Sequence, residues 1–128
     1  MRALLDTQAL LWFILGDSSI SDETRAIIET RSNLILVSAA SAWEIATKVR
    51  IGKLPGAAFV AQDFESHLER FHFEQMPISV DHAIRSGLLP GHHKDPFDRM
   101  LAAQCQAESI PIISNDKIFD LYGVRRIW

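Results

Sequence analysis

The sequence predicts an α/β domain built on a central parallel sheet. Three observations carry this. Short β-like runs alternate with helical segments along the whole chain. The first two strand-like runs, residues 2–5 and 34–37, are short and apolar, and the second reads as a buried strand. Acidic side chains recur where predicted strands end and predicted helices begin.

Each element has a local reason. Residues 2–5 are a short apolar strand ending at Asp6, and residues 7–15 are apolar nearly all round, as in a buried helix. Residues 16–19 form a turn. Ser21 caps a helix over 22–30, with Asp22 and Glu23 well placed in its first turn. Residues 34–37 are a second buried strand. A helix over 39–51 follows, closed by Gly52. Residues 58–73 predict one long amphipathic helix, with Phe59, Phe64, Leu68 and Phe71 near one stripe. Residues 76–78 form a brief strand, and Ser79 caps a helix over 80–88. After a polar loop over 90–94, Asp95 caps a helix with Pro96 at its first position, running to Glu108. Residues 110–114 are a strand with Pro111 at its start. A short helical turn over 116–122 and a last strand over 124–128 complete the pattern.

The chain has 128 residues, 48% hydrophobic and 23% charged, the balance of a single globular domain over residues 1–128. This excludes disordered, collagenous and coiled-coil classes. No apolar run approaches the ~20 residues of a membrane span. The N-terminus has no signal-peptide pattern, so no export is expected. The single cysteine, Cys105, precludes an intramolecular disulfide and suits a reducing cytoplasm. The formal net charge of −3 is not that of a general nucleic-acid sponge. Contact with nucleic acid would need a local patch or a metal that inverts the local sign.

Four acids occupy a telling set of positions. Asp6 ends the first strand, Glu44 lies early in the helix after the second strand, and Asp98 lies in the first turn of the helix feeding the fourth strand. Asp116 lies two residues past that strand. In a parallel sheet, strand C-termini and the starts of the following helices share the ligand-binding edge. The four acids should therefore meet there. Crowded carboxylates repel, and at least one should have a raised pKa through that repulsion. A hard divalent cation offsets it, and oxygen-only ligation suits Mg²⁺ or Mn²⁺. Such a metal activates water and neutralises a phosphodiester. Each acid also has a plain structural role: Ser41 and Glu44 match a capping box, Asp95 and Asp98 suit a helix start, and Asp116 can cap its own turn.

These residues resemble the PIN-domain nucleases, specifically the small VapC-like toxin ribonucleases of bacterial toxin–antitoxin modules. The resemblance spans essentially the whole chain. It rests on residues 4–12 (LLDTQALLW), 38–48 (SAASAWEIATK), 93–104 (HKDPFDRMLAAQ) and 114–119 (SNDKIF), the third block being the most specific. It implies a three-layer α/β/α fold. It also implies that Asp6, Glu44, Asp98 and Asp116 form an acidic quartet that holds Mg²⁺ or Mn²⁺ and hydrolyses RNA. Asp95 is then the helix cap. A homodimer and a cognate antitoxin are implied partners. Mean hydropathy of +0.06, high for a lone soluble domain, also suits a covered interface. The alternatives are a non-catalytic binding module on the same fold, or another metal-dependent phosphohydrolase.

Supporting roles are expected around the quartet. Thr7 and Ser114 could orient water, or simply satisfy a strand end and a helix start. Lys48, Arg50, Lys53, His92, His93, Lys94 and Arg99 could meet RNA phosphates or form a solvated surface, with Lys48, Lys94 and Arg99 singled out. His92 and His93 lack a second pair of soft ligands for zinc. Cys105 suits a buried small apolar role, and the larger aromatics suit core or dimer contacts. An aspartyl-nucleophile phosphatase would want an acid where Gln8 stands. A receiver domain would need adjacent acids at the first site, and no glycine-rich nucleotide loop follows the first strand.

Overall fold

The computed structural model describes residues 1–91 and 93–128, so the sequence reading on His92 lies outside the described residues. Five parallel strands run in the spatial order β3-β2-β1-β4-β5. They are β1 (Arg2–Leu5), β2 (Leu34–Ser38), β3 (Glu74–Met76), β4 (Ile112–Ile113) and β5 (Arg126–Ile127). Leu4 of β1 stands opposite both Leu36 and Ile112, so the first strand is the centre of the sheet.

Successive side chains of these strands enter opposite layers. Ala3, Leu5, Ile35, Val37 and Ile113 pack with Leu10, Ile45, Val60 and Leu68, whereas Leu4, Leu36 and Ile112 pack with Leu101, Cys105 and Phe119. The continuous apolar runs are thereby explained: both faces are covered. The first layer is built from α1 (Thr7–Leu15), α2 (Asp22–Glu29), α3 (Ala39–Arg50), α4 (Ala58–Gln62) and α5 (Phe64–Arg70). The second is built chiefly from α7 (Pro96–Glu108), which packs against α6 (Val80–Leu88). This is the three-layer α/β/α architecture expected from the sequence. No helix among the described residues is long and apolar enough to cross a membrane.

The structure corrects several expectations. The single helix over 58–73 is a 3₁₀ turn (Pro55–Ala57) followed by α4 and α5. The break falls at Asp63, whose φ of −136° and ψ of 43° lie outside the helical region. The third strand is Glu74–Met76 rather than 76–78, because Pro77 has no N–H to extend the ladder. The last two strands, β4 and β5, are two residues each, shorter than expected. The cap of α3 is Ser38, whose side chain accepts from the Ala40 amide. Ser41 lies inside the helix, so the Ser41–Glu44 capping box does not form. Gly52 does close α3: with φ +78°, its amide reaches the Val49 carbonyl, and Lys53 N–H reaches that of Lys48.

Candidate functional site

The C-terminal edge of the sheet opens into a cleft of about 520 Å³. Asp6, Glu44, Asp98 and Asp116 all line it, with Asp95 beside them. Thus segments far apart in sequence deliver five carboxylates to one place, and the two ammonium groups facing them belong to Lys48 and Lys117. Gln8 and Asn115 add neutral polar groups to the wall.

Each acid is fixed by its element. Asp6 follows β1 and caps α1, its Oδ1 accepting from the Ala9 amide at 2.7 Å. It is only 6% exposed. Burial pushes its pKa up to about 6; hydrogen bonds from Ser114 and the Ala9 amide oppose that, and the charges of Asp98 and Asp116 add to it. The expected rise is therefore present, but its main cause is desolvation rather than like-charge repulsion. Next to it, Thr7 Oγ1 and Ser41 Oγ share a buried 2.9 Å hydrogen bond that ties the start of α1 to α3.

Glu44 projects from the second turn of α3, is 6% exposed, and accepts a hydrogen bond from the Lys48 ammonium one turn on. Asp95 caps α7, accepting from the amides of Phe97 (2.9 Å) and Asp98 (3.2 Å) through one oxygen. Asp98 pairs through Oδ2 with His93 Nε2 at 2.9 Å. Burial raises the Asp98 pKa and the hydrogen bond from His93 opposes that, with Asp95 and Glu44 adding repulsion. Asp116 is exposed and caps the 3₁₀ turn Lys117–Tyr122 through Ile118 N–H, while its own amide donates to Ser114 Oγ.

Other singled-out residues take different places. Arg99 donates to the carbonyls of Ser86, Leu89 and His93, which ties its guanidinium to the end of α6 and the backbone beyond it rather than to the cleft wall. Lys94 is exposed and also outside the cleft lining. Cys105 is buried, and burial pushes its thiol up to about 12, which keeps it protonated and inert. Trp43 is 57% exposed, edge-on to Phe97.

The donor chemistry fits a hard divalent cation: five carboxylates line one cleft, and burial, with a smaller addition from neighbouring acids, raises the pKa values of Asp6 and Asp98. Among the described residues, the group of three potential ligands whose donor atoms all lie within 4.8 Å of one another is His93, Asp95 and Asp98. The sequence reading missed this pairing of His93 with Asp98. The signal was the adjacent placement of a histidine five residues before the acid, with Asp95 turning the chain between them.

A family model described as PIN domain matches residues 3–124. Over 62 residues the chain is 48% identical to Ribonuclease VapC16 of Mycobacterium tuberculosis (strain ATCC 25618 / H37Rv), covering 48% of this chain and 43% of that protein. The match thus spans less than half the length of this curated relative. Two solved structures share the fold at low identity. VapBC2 from Rickettsia felis, bound to a DNA fragment from their promoter, superposes with a TM-score of 0.71 at 18% identity, covering 99% of this chain and 98% of the other. FitAcB from Neisseria gonorrhoeae gives 0.65 at 19% identity, covering 100% and 97%.

Proposed function

The chain belongs to the PIN domain family, and from that premise we propose that residues 1–128 form one nuclease domain, a metal-dependent endoribonuclease acting as the toxin of a toxin–antitoxin pair. One observation carries the proposal. Acids at positions 6, 44, 98 and 116, which have no local reason to meet, line a single cleft at the ligand edge of a parallel sheet.

We assign Asp6, Glu44, Asp98 and Asp116 to holding Mg²⁺ or Mn²⁺, with His93 and Asp95 orienting Asp98. When bound, the ion supplies an activated water and positive charge for the phosphodiester. The chain's own residues prepare the rest. Lys48 and Lys117 give the acidic cleft a local attraction for phosphate. Thr7, locked by Ser41, and Ser114, beside Asp6 and Asp116, present hydroxyls at the strand ends. The helix caps hold Asp6, Asp95 and Asp116 in fixed rotamers, so the carboxylates need little reordering.

RNA as substrate, an antitoxin as partner and a cytoplasmic location complete the reading. The named ribonuclease relative and the VapBC fold neighbour support it. The test is RNA cleavage by protein purified free of other chains, with Mn²⁺ and with EDTA. We expect cleavage with Mn²⁺, none with EDTA, and none with Asp6→Asn or Asp98→Asn, both folded. Wild-type rates in both variants at equal Mn²⁺ would sink the quartet, and a metal-loaded wild type that never cuts RNA would favour a non-catalytic binding module.

A further inference from the structure

Glu44 is a carboxylate almost removed from water, yet it lies on a cleft wall crowded with other acids. Among the described residues, its carboxylate is hydrogen-bonded by the Lys48 ammonium. A Glu–Lys pair at this spacing is common on exposed helix faces, where it contributes little. This pair differs in two ways. The glutamate side chain is 8% exposed, and the lysine itself lines the cleft. Lys48 also feels Asp95 and Asp98, which arrive on a different element, the start of α7. The ammonium therefore sits where the negative field of two walls overlaps, as an added cation would.

We propose that Lys48 is the built-in counter-cation of the acidic cleft: it holds the Glu44 carboxylate in the metal-free protein and must release it when a divalent ion enters. Lys48 thereby sets the metal concentration at which the site fills. This rests on the metal-binding reading above. The exchange breaks one N–H···O contact and forms one oxygen–metal contact, with no proton transferred. The released ammonium remains on the cleft wall, where a phosphate of the substrate can replace the carboxylate it has lost.

The test is a Mn²⁺ titration of metal-free protein, read by melting temperature and by the electron paramagnetic resonance signal of free Mn²⁺. Lys48→Gln should half-saturate at roughly five- to tenfold lower Mn²⁺ than wild type, and should melt lower without metal. Lys48→Arg keeps the pair and should stay within about twofold of wild type. Lys117→Gln removes an equal charge from the same cleft without breaking a hydrogen bond to Glu44, and should shift the midpoint by less than half as much. Equal midpoints for wild type and Lys48→Gln, or equal shifts for Lys48→Gln and Lys117→Gln, would overturn the proposal while leaving the metal site standing. Failure of every protein to bind Mn²⁺ would overturn both readings. A measurement on the wild type alone guards against a variant that does not fold. The Lys48 ammonium resonance should move from a hydrogen-bonded to a solvent-exposed position on adding Mg²⁺, and a resonance unmoved at saturation would also overturn the proposal.

Discussion

The Oδ1 atom of Asp6 accepts the Ala9 amide at 2.7 Å, while the same carboxylate faces Asp98 and Asp116 across the cleft. The residue is at once a helix cap and a site acid, and the two roles can be separated. Asparagine keeps a capping oxygen and loses the charge, whereas alanine loses both. Asp6→Asn should therefore fold and fail to bind Mn²⁺, whereas Asp6→Ala should in addition lose about 1 kcal/mol of stability, as urea denaturation of both variants would show. The pKa of about 6 also fixes a pH dependence. A folded-state pKa above the unfolded value contributes stability that is fully present below the unfolded pKa and lost as pH rises through the folded one. Metal-free protein should thus gain up to about 2–3 kcal/mol from this group between pH 7 and roughly pH 4, and Asp6→Asn should lack that gain. Metal binding should run the opposite way, weakening below about pH 6 as Asp6 takes up its proton. Melting curves across this range in EDTA and in Mn²⁺ check both slopes; a flat metal-free profile would show that folding does not raise the Asp6 pKa.

At the scale of elements, α7 separates capping from charge within one turn. Asp95 holds two amides, whereas Asp98 carries a raised pKa and a histidine partner. Asp95→Ala should cost about 1–2 kcal/mol with or without metal, and Asp95→Asn much less. Asp98→Asn should raise the melting temperature in EDTA and remove most of the rise that Mn²⁺ gives the wild type. An Asp98→Asn protein that melts lower in EDTA and responds to Mn²⁺ like the wild type would make Asp98 a structural residue. This helix was legible in the sequence because Asp-Pro at its start is a local signal that tertiary packing did not override. The same holds for Ser21, Ser79 and Gly52. What was not legible depended on contacts between elements. Ser38 and Ser41 are both plausible caps by local chemistry; the choice is made by Thr7, which engages Ser41 from α1. The break at Asp63 has no proline or glycine to announce it, and lets α4 bury Val60 and α5 bury Leu68 on different lines. The acids were found because strand ends and helix starts are sequence features. The Lys48 and His93 partners became visible only when the cleft was built.

For the whole molecule, one surface stands apart. Val80, Ile84 and Leu88 recur every four residues on α6 and are 80%, 57% and 79% exposed, an apolar stripe of the sort that assemblies cover. Asp81 and Arg85 flank it and pair with each other. We propose this apolar stripe as the seam of the expected homodimer. Light scattering at high micromolar concentration should give the dimer mass for the wild type and the monomer mass for Ile84→Glu, with RNA cleavage per site used to confirm that the variant is folded. A monomeric wild type would remove the dimer and leave the nuclease reading intact.

The central place of β1 has a further consequence, one of timing. Made before either of its neighbours, β1 is flanked by β2 on one side and by β4, more than a hundred residues later, on the other. Half of its hydrogen-bonding edge stays open until residues 112–113 emerge, and the last acid of the cleft is residue 116. Long-range parallel pairing of this kind is slow to form. A nascent chain can thus carry Asp6 and Glu44 for most of its synthesis without a working site. Ribosome-stalled chains ending before β4 should show no Mn²⁺-dependent cleavage, and cleavage from such a chain would mean that Asp6, Glu44 and Asp98 suffice with three of the five strands.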